Sequence, residues 1–184
     1  METQTEKKMI ESSGKLRAEN GTGSFTPDAL SKQSGMQVFD IFTLVRKEEE
    51  VFEQLLLQLE KDLTAIVNDI SAKKNSPATE FEMLFKKVHR LFKQKPYYLT
   101  LIFDKDLRHH YSGADKIVSR IKSMAKKYLA GIIDRGKEQK IFTINTETKI
   151  LVKKILSSFQ ALMNNIQLAD KLMRDLKKHQ SSND

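Results

Sequence analysis

The sequence predicts an all-α protein, on three observations. Apolar residues recur at spacings of three and four along nearly the whole chain, which is the period of an amphipathic helix and not of a strand. Helix-capping residues stand where several of these stripes begin, and glycine, asparagine or proline stands where several end. A hydrophobic content of 39% over 184 residues is enough to bury a core. We expect about nine helices, arranged as a small N-terminal head and a larger helical bundle.

The head is predicted from a first helix over residues 5–19 and from a tight corner that follows it. Thr26 is a suitable N-cap, and Pro27 suits the first helical position because its missing N–H costs nothing there. A second helix therefore begins at Pro27 and ends near residue 34. Gly35 then permits a sharp reversal before a third helix over about residues 37–43. Two short helices joined by a glycine turn are typical of a helix-turn-helix unit.

The remaining helices follow from longer apolar stripes, broken at prolines, glycines and polar turns. A long connector over residues 47–71 carries a stripe wide enough to touch two neighbours. A basic loop over residues 136–144 precedes a helix capped by Asn145 or Thr146. The predicted helices of this part cover residues 47–71, 78–93, 97–109, 114–135, 145–165 and 167–178. We therefore predict a head over residues 1–46 and a second domain over residues 47–184.

The positive charge of the chain is unevenly distributed. Its formal net charge is +8, but residues 1–50 hold seven Lys and Arg against nine Asp and Glu, which makes them net −2. The remaining residues are then net +10. Most of the positive charge therefore lies outside the predicted helix-turn-helix. Because binding to phosphates depends on their neutralisation by Lys and Arg, this distribution weakens the simplest argument for DNA binding.

Several classes of function lack support in the sequence. The chain has no cysteine, which excludes disulfides and thiolate sites. His109 and His110 are adjacent and so point about 100° apart on a helix, which disfavours chelation of one ion. There is no nucleophile–base arrangement, paired-carboxylate site or phosphate loop. No apolar run approaches the ~20 residues of a membrane span. We expect a cytoplasmic protein that is not an enzyme and has no metal, cofactor or membrane partner.

The head, the connector and the apolar final helices together resemble the TetR family of transcription regulators. The resemblance runs without gaps over about residues 8–51 and is looser beyond. Its residues are Ile10 and Leu16, Glu19-Asn20-Gly21, Phe25 to Leu30, Gly35-Met36, Ile41-Phe42, and Lys47 to Val51. Gly136 followed by Ile141 and Phe142 is also similar to the family's loop before its dimer helices.

The resemblance implies a homodimer that presents two third helices to successive major grooves of a palindromic operator. Gln37 and Thr43 would hydrogen-bond base edges, and Val38 or Phe39 would meet thymine methyl groups. Phosphate contacts would come from the neighbouring cations and from Thr26. The residues predicted to contact DNA are Thr26, Lys32, Gln37, Val38, Phe39, Thr43, Arg46 and Lys47.

The third helix also allows a second interpretation. The family usually places hydroxyl, lysine and glycine residues here, whereas this chain has Gln37, Val38, Phe39, Asp40, Phe42 and Leu44, and Glu48 replaces a lysine that usually meets the DNA backbone. The apolar residues between Val38 and Val45 could instead form a protein interaction surface. Exposed cations beside an inward Val38 would favour the DNA regulator. Outward Phe39 and Leu44 beside Glu48 and Asp40 would favour the interaction module.

The larger domain is predicted to hold two further sites. In the similar proteins its helices surround a small-molecule effector, which implies a pocket lined by Phe85, His89, Tyr97, Phe103, Met124 and Tyr128. Two apolar stripes near the C-terminus would pair with a second copy in a four-helix bundle. The residues predicted at this dimer interface are Leu151, Ile155, Ser158, Phe159, Leu162, Leu168, Leu172 and Leu176.

Overall fold

A computed structural model describes residues 3–21, 23–44 and 47–177, and eleven helices account for the regular structure of these residues. They are α1 (Gln4–Asn20), α2 (Pro27–Ser34), α3 (Val38–Leu44), α4 (Glu48–Ala72), α5 (Pro77–Gln94), α6 (Tyr97–Phe103), α7 (Lys105–His110), α8 (Ser112–Glu138), α9 (Thr148–Ser157), α10 (Phe159–Asn164) and α11 (Gln167–Lys177). The predicted all-α class is confirmed.

The described residues form eleven helices instead of the predicted nine, because two of the predicted helices are each divided into two. Asp104 has an extended backbone, and its side chain accepts a hydrogen bond from the Leu107 N–H at 2.9 Å, so it ends α6 and caps α7. Ser158 separates α9 from α10, and its N–H is shared between the carbonyls of Lys154 and Ile155.

The structure also corrects the bounds around α8. This helix begins at Ser112, which was expected to lie in the preceding turn, and continues to Glu138. The loop that follows is closed by the N–H groups of Ile141 and Phe142, which both donate to the Gly136 carbonyl at 2.8 and 2.9 Å. The next helix begins at Thr148, and its N-cap is Glu147 without a side-chain cap bond, instead of the expected Asn145 or Thr146.

The chain divides into two compact units, each built from two stretches of sequence. The first unit comprises Met1–Asp62 and Lys95–Arg120, and the second comprises Leu63–Gln94 and Ile121–Asp184. Helices α4 and α8 therefore each contribute to both units. The boundary predicted after residue 46 follows the helix-turn-helix and stays a prediction.

The first unit is organised around α1, which packs on α2, α3 and α6. A capping box between Thr3 and Glu6 begins this helix. Gly14 lets the helix approach its neighbours closely, since a Cβ atom there would lie 2.8 Å from the Tyr97 ring. The buried side chains that α4 and α6 add to this core are Val51, Phe52, Leu55, Leu56, Leu59, Tyr97, Tyr98, Leu101 and Ile102.

The second unit places α5 against α10 and α11. Phe81 is buried between two other rings, those of Phe85 at 4.8 Å and Phe142 at 6.2 Å between centroids. Gly136 makes room for Phe142, because a Cβ atom at this glycine would lie 2.1 Å from the ring. The buried carboxylate of Glu80 pairs with the Arg135 guanidinium.

Two kinds of site are absent from the described residues. None of the helices in these residues combines the length and the apolar character of a membrane span. Over the same residues, no group of three or more His, Asp or Glu side chains is arranged to hold a metal ion.

Candidate nucleic-acid interface

The corner between α2 and α3 is held by short-range hydrogen bonds. The Thr26 hydroxyl accepts a hydrogen bond from the Ala29 N–H at 3.2 Å and so caps α2. Gly35 adopts the left-handed conformation with φ of +68°, which favours glycine. On either side of it, the Ser31 hydroxyl donates to the Met36 carbonyl at 2.7 Å, and the Ser34 hydroxyl accepts from the Met36 N–H at 3.2 Å. The predicted helix-turn-helix geometry is therefore present.

One residue anchors α3 to the rest of the head. The Ile41 side chain is completely buried and packs in a cluster with Leu16 of α1 and Leu30 of α2. Phe25, Ala29 and Met36 cover the edge of this cluster. Because the other residues of α3 are exposed or half-buried, Ile41 determines which face of the helix points away from the core.

The outward face of α3 carries two aromatic rings. Successive helical residues are rotated by about 100°, so Phe39 and Thr43 lie almost opposite Ile41, with Phe42 and Asp40 beside them. The exposed fractions agree with this geometry, at 77% for Phe39 and 65% for Phe42. Asp40 and Thr43 are also exposed. We call Phe39, Asp40, Phe42 and Thr43 the outward face of α3.

The residues predicted to contact DNA have different surroundings. Lys32, Gln37 and Lys47 are exposed, whereas Val38 is half-buried. Thr26 is exposed, but its hydroxyl is engaged in the cap. The Thr43 hydroxyl donates to the Asp40 carbonyl at 2.7 Å. Arg46 lies outside the described residues, as does Val45.

The exposure of side chains in and around α3 agrees in part with the DNA regulator and in part with the interaction module. Exposed Lys32, Gln37 and Lys47 agree with the DNA regulator, while the outward Phe39 agrees with the interaction module. Leu44 is half-buried, so it adds little to an apolar surface. Of the apolar residues that α3 contributes, only Phe39 and Phe42 are exposed.

Glu48 is compensated by an arginine that sequence reasoning missed. The Arg17 side chain is only 4% exposed, and its guanidinium contacts Glu48 at 3.5 Å and Asp104 at 2.9 Å. It also lies over the Phe52 ring, 5.3 Å from the centroid. The carboxylate of Glu48 is therefore partly neutralised within the protein, which weakens its repulsion of a DNA phosphate. The position of Arg17, seven residues after Ile10 on the apolar stripe of α1, is the signal that could have identified it.

The surroundings of Arg17 also shift the pKa values of two other groups, Asp104 and Tyr111. Burial alone would raise the pKa of Asp104, but hydrogen bonds from Arg17 and the Leu107 N–H outweigh it and leave this pKa below its ordinary value. Burial raises the pKa of Tyr111, and the adjacent Glu48 raises it further. At neutral pH Asp104 is therefore charged and Tyr111 is neutral.

The six residues predicted to line an effector pocket divide between the two units. Tyr97 borders a cleft of about 220 Å³ in the first unit, beside Ile10, Leu55 and Leu57, while Phe103 is on the surface of that unit. In the second unit, Phe85 borders a cleft of about 270 Å³ between α5 and α11. His89, Met124 and Tyr128 of this unit are half-buried. The effector pocket stays a prediction.

The residues predicted at a dimer interface fall into two groups. Leu151, Ile155, Leu162 and Leu176 are buried inside the second unit, so their side chains face their own core. Ser158 and Leu168 are exposed, while Phe159 and Leu172 are half-buried. Only this second group offers surface to another copy, and the interface stays a prediction.

Solved structures share the fold of this chain. Ketosteroid transcriptional regulator KstR2 of Mycobacterium tuberculosis is 14% identical over 95% of both chains, with a TM-score of 0.81. Fatty acid degradation regulator FadR from Bacillus halodurans is 12% identical over 98% of both chains, with a TM-score of 0.72. The TetR family transcriptional regulator PfmR from Thermus thermophilus is 17% identical over 92% of this chain and 99% of that chain, with a TM-score of 0.68.

These likenesses concern the fold. No protein-family model matches the sequence, and no curated protein matches it. The chain has the all-α fold of TetR-family transcription regulators, and the resemblance read from its sequence is confirmed at that level.

Proposed function

We propose that the protein is a homodimeric, DNA-binding transcription regulator that responds to a small-molecule effector. The observation that carries this proposal is the helix-turn-helix corner, in which the single anchor Ile41 leaves one face of α3 directed away from the core. The second helix of such a corner is the element that enters the major groove in helix-turn-helix proteins. The solved structures that share this fold are named as transcription regulators, which supports the same function.

Contact with the DNA backbone is assigned to the cations around α3. Lys32 lies in the last turn of α2 and Lys47 follows α3, and both side chains are exposed. Gln37 directly precedes α3, is exposed and can hydrogen-bond a base edge. Lysine side chains at these positions would neutralise phosphates and make binding dependent on salt.

A second copy would cover the exposed apolar residues of the last two helices. Leu168 is 39% exposed, and Leu172 follows it by four residues on the same side of α11. Ser158 and Phe159 add surface next to α10. An isologous pairing of this face would bury these side chains and place two heads on one molecule.

The effector would bind in the second unit, at the cleft between α5 and α11. The apolar part of its lining includes Phe81, Phe85 and Met173. Lys86 and Arg174 also line the cleft, as do Glu82 and Asp170, and Lys86 pairs with Glu82. A volume of about 270 Å³ suits a compact, largely apolar ligand.

Binding to random-sequence duplex DNA tests the central part of this proposal. We expect an electrophoretic shift that weakens between about 50 and 200 mM salt. The double variant Lys32→Gln/Lys47→Gln should reduce the slope of log affinity against log salt by about 1.8 per head, since each phosphate contact contributes about 0.9. The matched control Lys105→Gln/Lys116→Gln removes the same charge from exposed sites outside the corner and should leave the slope unchanged. Absence of any shift at low salt would contradict DNA binding.

Sedimentation equilibrium tests the dimer separately. We expect twice the monomer mass of 21.2 kDa, and a return to that mass in the variant Leu168→Lys/Leu172→Lys. A wild-type protein that stays at the monomer mass at micromolar concentration would contradict the homodimer.

A second candidate function rests on one observation. Phe39 and Phe42 are large apolar side chains exposed at 77% and 65%, and such surfaces often mark protein interfaces. In this alternative the head has lost operator binding and acts as a protein interaction module. A folded protein that shows no duplex binding at low salt would favour it.

A further inference from the structure

We propose that the outward face of α3 reads pyrimidines: Phe39 and Phe42 contact the 5-methyl groups of thymine in the major groove, and Asp40 accepts a hydrogen bond from the N4 amino group of cytosine. This inference rests on the proposed function, because it requires that the head binds duplex DNA. It adds the class of base that the operator must present to this helix.

The geometry of α3 brings the two rings to one side of the helix. Phe39 and Phe42 are three residues apart, which separates them by about 4.5 Å along the axis. Successive bases of one strand are about 3.4 Å apart, so the rings can reach neighbouring positions in the groove. Both rings are exposed, and the helix is held from its opposite side by Ile41.

The outward face of α3 lacks the side chains that usually read purines, whereas Gln37, which is of such a type, lies just before this helix. Guanine offers two acceptors that Arg or Lys reads, and adenine is read by Asn or Gln. Residues 38–44 contain none of these four residue types. The Thr43 hydroxyl is engaged with the Asp40 carbonyl at 2.7 Å. The outward face therefore offers two apolar rings, one carboxylate and, from Thr43, a methyl group and a hydroxyl oxygen that can still accept a hydrogen bond.

Those remaining groups match the major-groove edges of pyrimidines. Thymine presents a methyl group, which apolar side chains contact, and cytosine presents an amino donor, which Asp accepts. A carboxylate is repelled by phosphates, so a contact with the cytosine amino group in the groove is the favourable role for Asp40. Lys32 and Lys47 are exposed before and after α3 and supply the charge that phosphates on the groove walls require. Residues 1–50 are net −2, so these two local cations, and not the overall charge of the head, favour DNA over an apolar protein partner as the occupant.

A comparison of thymine with uracil isolates the methyl groups without changing the protein. Duplexes that bind the wild-type protein are selected from a random-sequence library, and the enriched pool is then copied with uracil in place of thymine. We expect binding to weaken about fourfold for each contacted methyl group that is lost, which corresponds to the free energy gained by removing one such group from water. Two rings then give about fifteenfold for one head. The double variant Phe39→Ala/Phe42→Ala should bind both pools equally, and the control Leu57→Ala should keep the difference.

A second variant tests the carboxylate. Replacement of Asp40 by asparagine converts an acceptor into the group that reads adenine, so selection with Asp40→Asn should exchange one preferred cytosine for adenine. An unchanged consensus would overturn the role of Asp40.

The outcomes separate this inference from the proposed function. Equal, salt-dependent binding of both pools by the wild-type protein would overturn methyl readout and leave DNA binding intact. A thymine preference that persists in Phe39→Ala/Phe42→Ala would also overturn it, because another residue would then contact the methyl groups. Absence of all duplex binding at low salt would overturn both.

Discussion

Replacement of Ile41 by alanine tests whether one side chain anchors the DNA-facing helix. Ile41 is completely buried against Leu16 and Leu30. The substitution deletes three carbon atoms, which at about 0.8 kcal/mol each removes about 2.4 kcal/mol of transfer free energy. The cavity that remains raises the expected loss to about 3 to 4 kcal/mol. Because α3 has seven residues, this loss should appear as local opening of the head before global unfolding.

Amide hydrogen exchange followed by mass spectrometry measures this opening. We expect protection in α2 and α3 to fall by about a hundredfold or more in Ile41→Ala, since each 1.4 kcal/mol is a factor of ten. Protection in α8 should not change. The matched control is Phe39→Ala, which removes a larger apolar side chain from the same helix and should cost less than about 0.5 kcal/mol, because the side chain is exposed. Equal effects of the two variants, or unchanged protection in Ile41→Ala, would refute the assigned orientation of α3.

Two further predictions concern α8 and the tyrosines. Gly136→Ala should lower the free energy of unfolding by about 1 to 3 kcal/mol, because the added Cβ would lie 2.1 Å from the buried Phe142 ring. In the control variant Gly131→Ala, in the same helix, the added Cβ meets only the flexible end of Arg135 at 3.5 Å. This variant should raise the free energy of unfolding by up to about 1 kcal/mol. Equal denaturation midpoints for the two variants would contradict the close packing at Gly136. Burial raises the pKa values of Tyr97, Tyr98, Tyr111 and Tyr128 above 10.0, that of Tyr97 to about 12. Because the folded state favours the neutral phenols, the stability that they contribute is complete below pH ~10 and is lost as the pH rises through the folded pKa values. The ultraviolet absorbance of ionised tyrosine should show a titration midpoint that denaturant lowers to about 10. A native protein whose midpoint is already about 10 would refute the burial of these tyrosines.

The head could be predicted from sequence because its chemistry is local. Thr26, Pro27 and Gly35 each act within three or four residues of their own position, as N-cap, first helical residue and left-handed turn. Local rules of this kind need no knowledge of the remaining chain. The predicted corner and the bounds of α2 therefore agree with the structure.

The two helix breaks could not be predicted in the same way. The apolar pattern runs through Ser158 without interruption, and no side-chain cap marks the start of α10. Asp104 did carry a signal, since aspartate after an apolar run can cap a new helix. That signal competes with continuation of the helix, and tertiary contacts with Arg17 favour the break.

The candidate site was predictable by position but not by exposure. Six apolar residues between Val38 and Val45 could not all be buried, yet sequence alone could not choose among them. The structure buries Ile41 and exposes Phe39 and Phe42, because the choice depends on where Leu16 and Leu30 lie. The compensation of Glu48 by Arg17 joins residues 31 positions apart and has the same tertiary origin.

The discontinuous first unit has a consequence for biosynthesis. Arg17 finds its carboxylate partner Asp104 only after 87 further residues have been translated. At the usual speed of ribosomes this takes roughly 4 to 17 s, and throughout that interval the Arg17 guanidinium lacks its Asp104 counterion. The first unit therefore cannot complete its folding until Asp104 has been synthesised. In a truncated product that ends before Asp104, α1 would lack this ion pair and would be incompletely folded.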